Sequence, residues 1–182
     1  SGKTMLDVLE KSGLVENVMK LKDNNLIFTI DKTNVKLTGI YGLRSGLDRN
    51  LYKQIDKESL SKEQGFKIFM FHATLDEFKP KDQEKVEGQS YTDLPKNFNY
   101  YAGGHTHIVH YEKKEDYGMI SYPGPLFPNS FKELEELKYG QFYIVDDKLN
   151  VKSIPIKLKE VKNIFINADN KTPQEVEQEL IG

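Results

Sequence analysis

The longest apolar run in the chain, Ile68-Phe69-Met70-Phe71, is strand-sized and closes on a histidine. Phe66–His72 is therefore expected as a fully buried central strand, interrupted in character only by Lys67. Leu26–Ile30 and Val35–Ile40 read as short strands across a turn at Asp31-Lys32-Thr33-Asn34. Tyr100-Tyr101-Ala102, Met119–Tyr122 and Gln141–Asp146 are further strand-type runs, with Val151–Ile156 following a turn at Asp147-Lys148. Helical spacing is sparser. Residues 4–12 place Met5, Leu6, Val8 and Leu9 on an apolar side, and Gly13 stops them. Residues 46–63 space Leu47, Leu51, Ile55 and Leu60 in near-helical steps, or else form a charged, irregular excursion. Thr172-Pro173-Gln174-Glu175 is a helix start with a Thr cap, Pro at the first position and Glu three residues after the cap; that helix would be cut at Gly182. Residues 73–98 read as a long charged connection. Strands mixed with few strong helices point to an α/β protein, one layer of an α/β sandwich. The more regular alternation after residue 148 sets a domain boundary there.

Composition changes this picture little. With 182 residues, 37% hydrophobic and 30% charged, the chain suits one globular domain, or one domain and part of another. No apolar run approaches the roughly 18 residues of a membrane span. No signal peptide is visible after Ser1-Gly2-Lys3-Thr4, and cysteine is absent. Disulfides and thiolate chemistry are thereby excluded, and a cytoplasmic setting is expected. The net charge of −2 makes the surface as a whole no magnet for polyanions, so nucleic-acid contacts must be local or assisted by metal. Of 26 basic residues only Arg44 and Arg49 are arginines, a bias read as genome composition or a thermophile-type surface.

The candidate chemistry lies in four histidines. His72 ends the apolar strand. His105 and His107 stand two apart behind Gly103-Gly104, directly after another strand. Side chains at the C-terminal ends of neighbouring strands converge where α/β proteins bind ligands. Imidazole suits zinc-, manganese- and iron-like ions, and the two glycines are expected to turn the backbone so that both histidines face one site. Read singly, a strand-end histidine is more often a hydrogen-bonded surface residue. His110, on strand alternation, points away from the pair and is read as structural or exposed.

At these residues a family resemblance becomes specific. Gly104-His105-Thr106-His107 resembles the Gly-His-x-His motif of calcineurin-like metallophosphoesterases, and Phe69-Met70-Phe71-His72 resembles the strand with a terminal ligand that precedes it there. Asp93-Leu94-Pro95, Tyr100-Tyr101-Ala102, Tyr122-Pro123-Gly124 and Gly140-Gln141-Phe142-Tyr143-Ile144-Val145-Asp146 follow the order and spacing of archaeal-type "meiotic recombination eleven" nucleases. Pro125 departs from that pattern, standing where the family often has Ser.

The resemblance implies a metallophosphoesterase β-sandwich flanked by helices over 1–148, and the start of a small α+β capping domain over 149–182. It implies a hydrolase, a manganese-dependent exo- and endonuclease of DNA double-strand-break repair, working beside an SMC-like zinc-hook ATPase and as a homodimer. His72 and His105 would bind one manganese ion and His107 the other, the two about 3.5–4 Å apart as in two-metal sites. The general acid would lie outside this chain. The helix at Lys3–Leu14 would contribute to the dimer through Met5, Leu6 and Leu9.

One absence shapes the expectation. The superfamily's Asp-x-His, Gly-Asp-x-x-Asp and Gly-Asn-His-Asp/Glu motifs do not occur in this sequence. The chain is accordingly expected to begin just after the third, to bind metal weakly or not at all, and to be inactive alone. Two alternatives stand beside the nuclease: a part of a generic phosphoesterase acting on nucleotides or phosphoproteins, and a non-catalytic dimerisation or scaffold module.

Overall fold

The computed structural model describes residues 4–43, 48–81 and 85–181. Lys3, Arg44, Leu47 and Gly182, which entered the sequence reading, lie outside them. The protein is mixed α/β. Its centre is a six-stranded mixed sheet built from Thr29–Ile30 (β3), Lys36–Ile40 (β4), Lys67–His72 (β5), Tyr100–Gly104 (β6), Val109–Lys114 (β7) and Gly118–Pro123 (β8). The spatial order is β3-β4-β5-β6-β8-β7. Strands β4, β5, β6 and β8 are parallel, and the edge strands β3 and β7 are antiparallel to their neighbours.

The apolar run takes the central position its composition demands, but it is not buried on both sides. Burial alternates along β5: Lys67, Phe69 and Phe71 are buried, while Met70 and His72 are exposed. Four apolar residues in a row thus serve two faces, since neighbouring side chains on a strand point oppositely. The packed face carries Phe69, Tyr101, Ile120 and Tyr122, each fully buried, under Tyr52, Leu60, Leu75, Leu94 and Phe98. Burying one large apolar side chain is worth about 1.5–3 kcal/mol. Edge-to-face contacts knit this layer, with Phe69–Phe98 centroids 5.4 Å apart and Phe71–Tyr122 centroids 5.5 Å apart. Lys67 belongs to the packed face although it is charged. Its Nζ donates to the Leu60 and Ser61 carbonyls at 3.0 Å each and sits over the Phe98 ring. Those carbonyls lie at the C-terminal end of a helix, where a cation is favoured. Burial pushes the Lys67 pKa down.

Local signals account for most other elements. The helix Met5–Lys11 (α1) opens with a capping box between Thr4 and Asp7, and Gly13 follows at φ +74°. None of its residues is buried. The turn at Asp31 forms because its Oδ1 accepts from the Thr33 and Val35 amides at 2.8 and 2.9 Å. The run Leu26–Ile30 is divided: Asn25–Ile27 (β2) pairs with Lys20–Lys22 (β1), and only β3 joins the central sheet. The single helix expected over 46–63 is two, Asp48–Gln54 (α2) and Lys57–Lys62 (α3). Asp56 caps the second by accepting from the Ser59 amide, and a side chain suited to a cap ends the first register. The strand β7 and the helix Phe131–Leu137 (α4) have no counterpart in the sequence reading.

The chain divides into two compact units, one of Ser1–Gly124 with Tyr143–Ser153 and one of Pro125–Phe142 with Ile154–Gly182. Gly140–Val145 (β9) and Val151–Ile156 (β10) form a two-stranded sheet, turned by Asp146, whose Oδ1 accepts from the Lys148 and Asn150 amides. The last helix, Pro173–Ile181 (α5), starts at the expected capping box of Thr172 and Glu175. Among the described residues no helix is long and apolar enough to cross a membrane.

Candidate functional site

β5 ends at His72, and its register partner on β6 is Gly104. Because the two strands run parallel, the segments that follow them leave from the same edge of the sheet. His105 comes directly after Gly104. Its ring meets that of His72 edge to face, with centroids 5.0 Å apart and planes at 61°. Two of the histidines singled out on the sequence are thereby brought together.

Glycines make room for this contact on both sides of His72. A Cβ on Gly42 would stand 2.5 Å from the His72 Cδ2, and one on Gly104 would stand 3.0 Å from its Nδ1. Larger residues would drive the ring from its place. The expectation that Gly103-Gly104 makes the turn is corrected: both glycines lie within β6. His105 itself turns the chain, at φ +85°, a left-handed conformation costing L-residues about 1–2 kcal/mol. Gly103 serves packing instead, since a Cβ there would lie 2.7 Å from the Phe71 ring and 2.8 Å from the Ser121 carbonyl oxygen.

Burial alternates through the motif: His105 and His107 are exposed and Thr106 is buried. The Thr106 hydroxyl donates to the Thr74 hydroxyl at 3.0 Å. Thr74 lies on the segment leaving β5, which is clamped from further directions. The Tyr122 hydroxyl donates to the Ala73 carbonyl at 2.6 Å and accepts from the Leu75 amide at 3.2 Å. The Gln89 amide donates to the Thr74 carbonyl at 3.0 Å, and the Gln89 carbonyl accepts from the Asp76 amide at 2.9 Å. Burial raises the Tyr122 pKa, so the phenol keeps the proton that it donates.

His110 lies apart from the pair. It sits on β7 opposite Tyr122, its ring 4.6 Å from that of Phe78 and its Nε2 3.6 Å from the Glu112 carboxylate. That placement agrees with its reading as a structural residue. Beside His72 opens a groove of about 430 Å³, lined among others by Val18, Met19, Tyr41, Met70 and Gly104.

Sequence reasoning missed Thr106, Tyr122 and Gly42. Thr106 had a signal: between two outward-facing side chains, strand-like alternation requires an inward one. Gly42 had none, because its role depends on a ring thirty residues away.

Imidazole nitrogens from adjoining strand ends suit zinc-, manganese- or iron-like ions. Among the described residues, however, no group of three or more His, Cys, Asp or Glu side chains is placed to hold a metal ion. Among the described residues the donors thus fit part of a metal site, a pair of imidazoles, and not a full coordination sphere. Compared with known proteins, the chain matches no family model and no curated protein.

Proposed function

We propose that this chain forms one wall of a two-metal phosphodiesterase centre, that of a manganese-dependent nuclease working on DNA ends in double-strand-break repair. The observation that supports this reading is the edge-to-face approach of His72 and His105 at the ends of adjacent parallel strands. In this reading His72 and His105 serve one manganese ion, and His107, exposed two residues on, serves the other. When bound, such a pair supplies charge neutralisation at the phosphate and activation of water.

The residues of the chain hold and orient. Gly42 and Gly104 leave space for the His72 ring, Thr106 ties the histidine loop inward, and Tyr122 fixes the segment leaving β5. A net charge of −2 leaves DNA binding to local contacts at this edge.

Ligand counting sets what the chain does alone. Three imidazoles shared between two ions leave each short of ligands, no carboxylate joins them in a metal-holding group among the described residues, and the chain carries none of the three superfamily motifs named above. Those ligands and the proton donor would come from polypeptide outside these residues. The chain alone accordingly binds metal weakly, near His105 and His107, and does not cleave DNA. The proposed partners are DNA, a second copy of the protein and an SMC-like zinc-hook ATPase. The proposed setting is the prokaryotic cytoplasm, at the nucleoid.

The test is a manganese-dependent exonuclease assay on end-labelled duplex DNA, with His107→Ala as control. Cleavage is expected when the chain is joined to polypeptide bearing the three missing motifs, and it is lost in the variant. Robust His107-dependent cleavage by the 182-residue chain alone would overturn the ligand counting. Hydrolysis of nucleotides or phosphopeptides with DNA left intact would overturn the substrate.

A further inference from the structure

The hydroxyl of Thr106 does more than fill a space. It is buried, it lies between the exposed His105 and His107, and its bond to Thr74 at 3.0 Å is a side-chain link from their segment to the one that follows His72. One segment leaves β5 after His72; the other leaves β6 through His105. β5 and β6 are joined by backbone pairing only as far as His72 and Gly104. Beyond that register the backbone of His105 turns into the left-handed region, and the ladder no longer sets the spacing of the two segments.

The segment at Thr74 is itself immobilised. Tyr122 holds it at Ala73 and Leu75, and Gln89 holds it at the Thr74 carbonyl and the Asp76 amide. Thr106 therefore ties the histidine loop to a fixed point. Its neighbours in sequence must face outward, because the inward position is taken.

From this we infer that Thr106, through its hydroxyl bond to the anchored Thr74, is a positioning residue that holds the His105 ring against His72. As a statement about geometry it stands without metal. Its consequence for metal affinity rests on the reading under Proposed function. Partners that orient ligand side chains typically contribute 10–100-fold to metal affinity.

The experiment compares the unaltered 182-residue chain with Thr106→Val, Thr106→Ser and the double variant Thr74→Val/Thr106→Val. Valine keeps the shape of threonine and loses the hydroxyl. The double variant leaves no unpaired buried hydroxyl, so it keeps the fold measurable if Thr106→Val unfolds. The first readout is the nuclear Overhauser contact between the His72 and His105 ring protons in metal-free protein. It is expected in the unaltered chain and in Thr106→Ser, and lost in both valine variants while amide signals of β4 and β8 stay in place. Persistence of the ring contact in the double variant overturns the inference.

The second readout is manganese titration, followed as broadening of the His72 and His105 imidazole signals. A loss of about 10-fold in affinity is expected in the valine variants, with recovery in Thr106→Ser. Equal affinity in all four proteins overturns the inference as it bears on metal. No broadening of either ring in the unaltered chain overturns the metal reading itself, and the ring contact then decides the positioning role on its own.

Discussion

The His72 and His105 rings stand 5.0 Å apart because the two parallel strands that precede them end in register, His72 beside Gly104. Glycine at 42 and 104 leaves the His72 ring its room, since a Cβ there would stand 2.5 and 3.0 Å from it.

Substituting either glycine with alanine should consequently displace His72 without unfolding the protein. Gly42→Ala, the closer approach, is expected to shift the His72 imidazole resonances more than Gly104→Ala. Both should cost no more than about 1–3 kcal/mol, the range for overpacking. Unchanged His72 resonances in Gly42→Ala would show that the cradle does not hold the ring.

Tyr122→Phe removes one hydroxyl that satisfies two backbone groups, the Ala73 carbonyl and the Leu75 amide. Both lie on buried residues. Leaving them unsatisfied should destabilise the protein by about 1–3 kcal/mol, read as a lower urea midpoint with an unchanged slope. Because the clamped segment carries Thr74, the same variant should also weaken the contact between His72 and His105.

Alkaline pH should unfold the chain ahead of tyrosine ionisation in the folded state. Burial raises the phenol pKa of both Tyr101 and Tyr122 well above the ordinary value of 10. In the unfolded chain they ionise near 10, so above that pH the folded state holds more protons than the unfolded one. Stability then falls as pH rises. Lys67 acts oppositely: its pKa is lowered by burial from 10.5, so its contribution rises with pH until the unfolded lysine has also lost its proton. Burial raises Tyr100, Tyr117 and Tyr143 as well, so with five phenols against the one Lys67 ammonium the net trend above pH 10 is loss. Phenolate absorbance and circular dichroism should change together. Full ionisation of all tyrosines with the dichroism unchanged would contradict this.

The apolar side of α1 leads to a prediction about association. Met5, Leu6 and Val8 are 72%, 68% and 55% exposed, so their replacement costs little packing within the chain. Met5→Glu with Leu6→Glu should leave thermal stability within about 0.5 kcal/mol, as for exposed positions. Under the proposed homodimer it should shift sedimentation of the complete protein from dimer toward monomer. An unchanged sedimentation coefficient would remove α1 from the dimer contact.

Much of this molecule was legible from local chemistry. The caps at Thr4 and Thr172 and the turns at Asp31 and Asp146 depend on residues within four positions of one another, and the strand closing on His72 is marked by its apolar run. Short-range hydrogen bonds and side-chain alternation are properties of the chain itself, so the sequence determined them. It also placed His72 at the end of one strand and His105 directly after another, and read His110 as pointing away from His105 and His107.

Tertiary structure decided the rest, wherever the outcome hangs on a partner distant along the chain. β7 is a strand because β8 offers it an edge, although its own residues, His110 to Lys114, are mostly polar. Lys67 is buried because two carbonyls at the end of α3 and the Phe98 ring receive its ammonium. Gly104 matters for the ring that the parallel register sets beside it, not for a turn, and the turn falls to His105. Thr106 becomes an anchor only once Thr74 stands 3.0 Å away, thirty-two residues earlier in the chain. Sequence fixes which groups can bond; distance between groups far apart in the chain is set by the packing that brings their strands side by side.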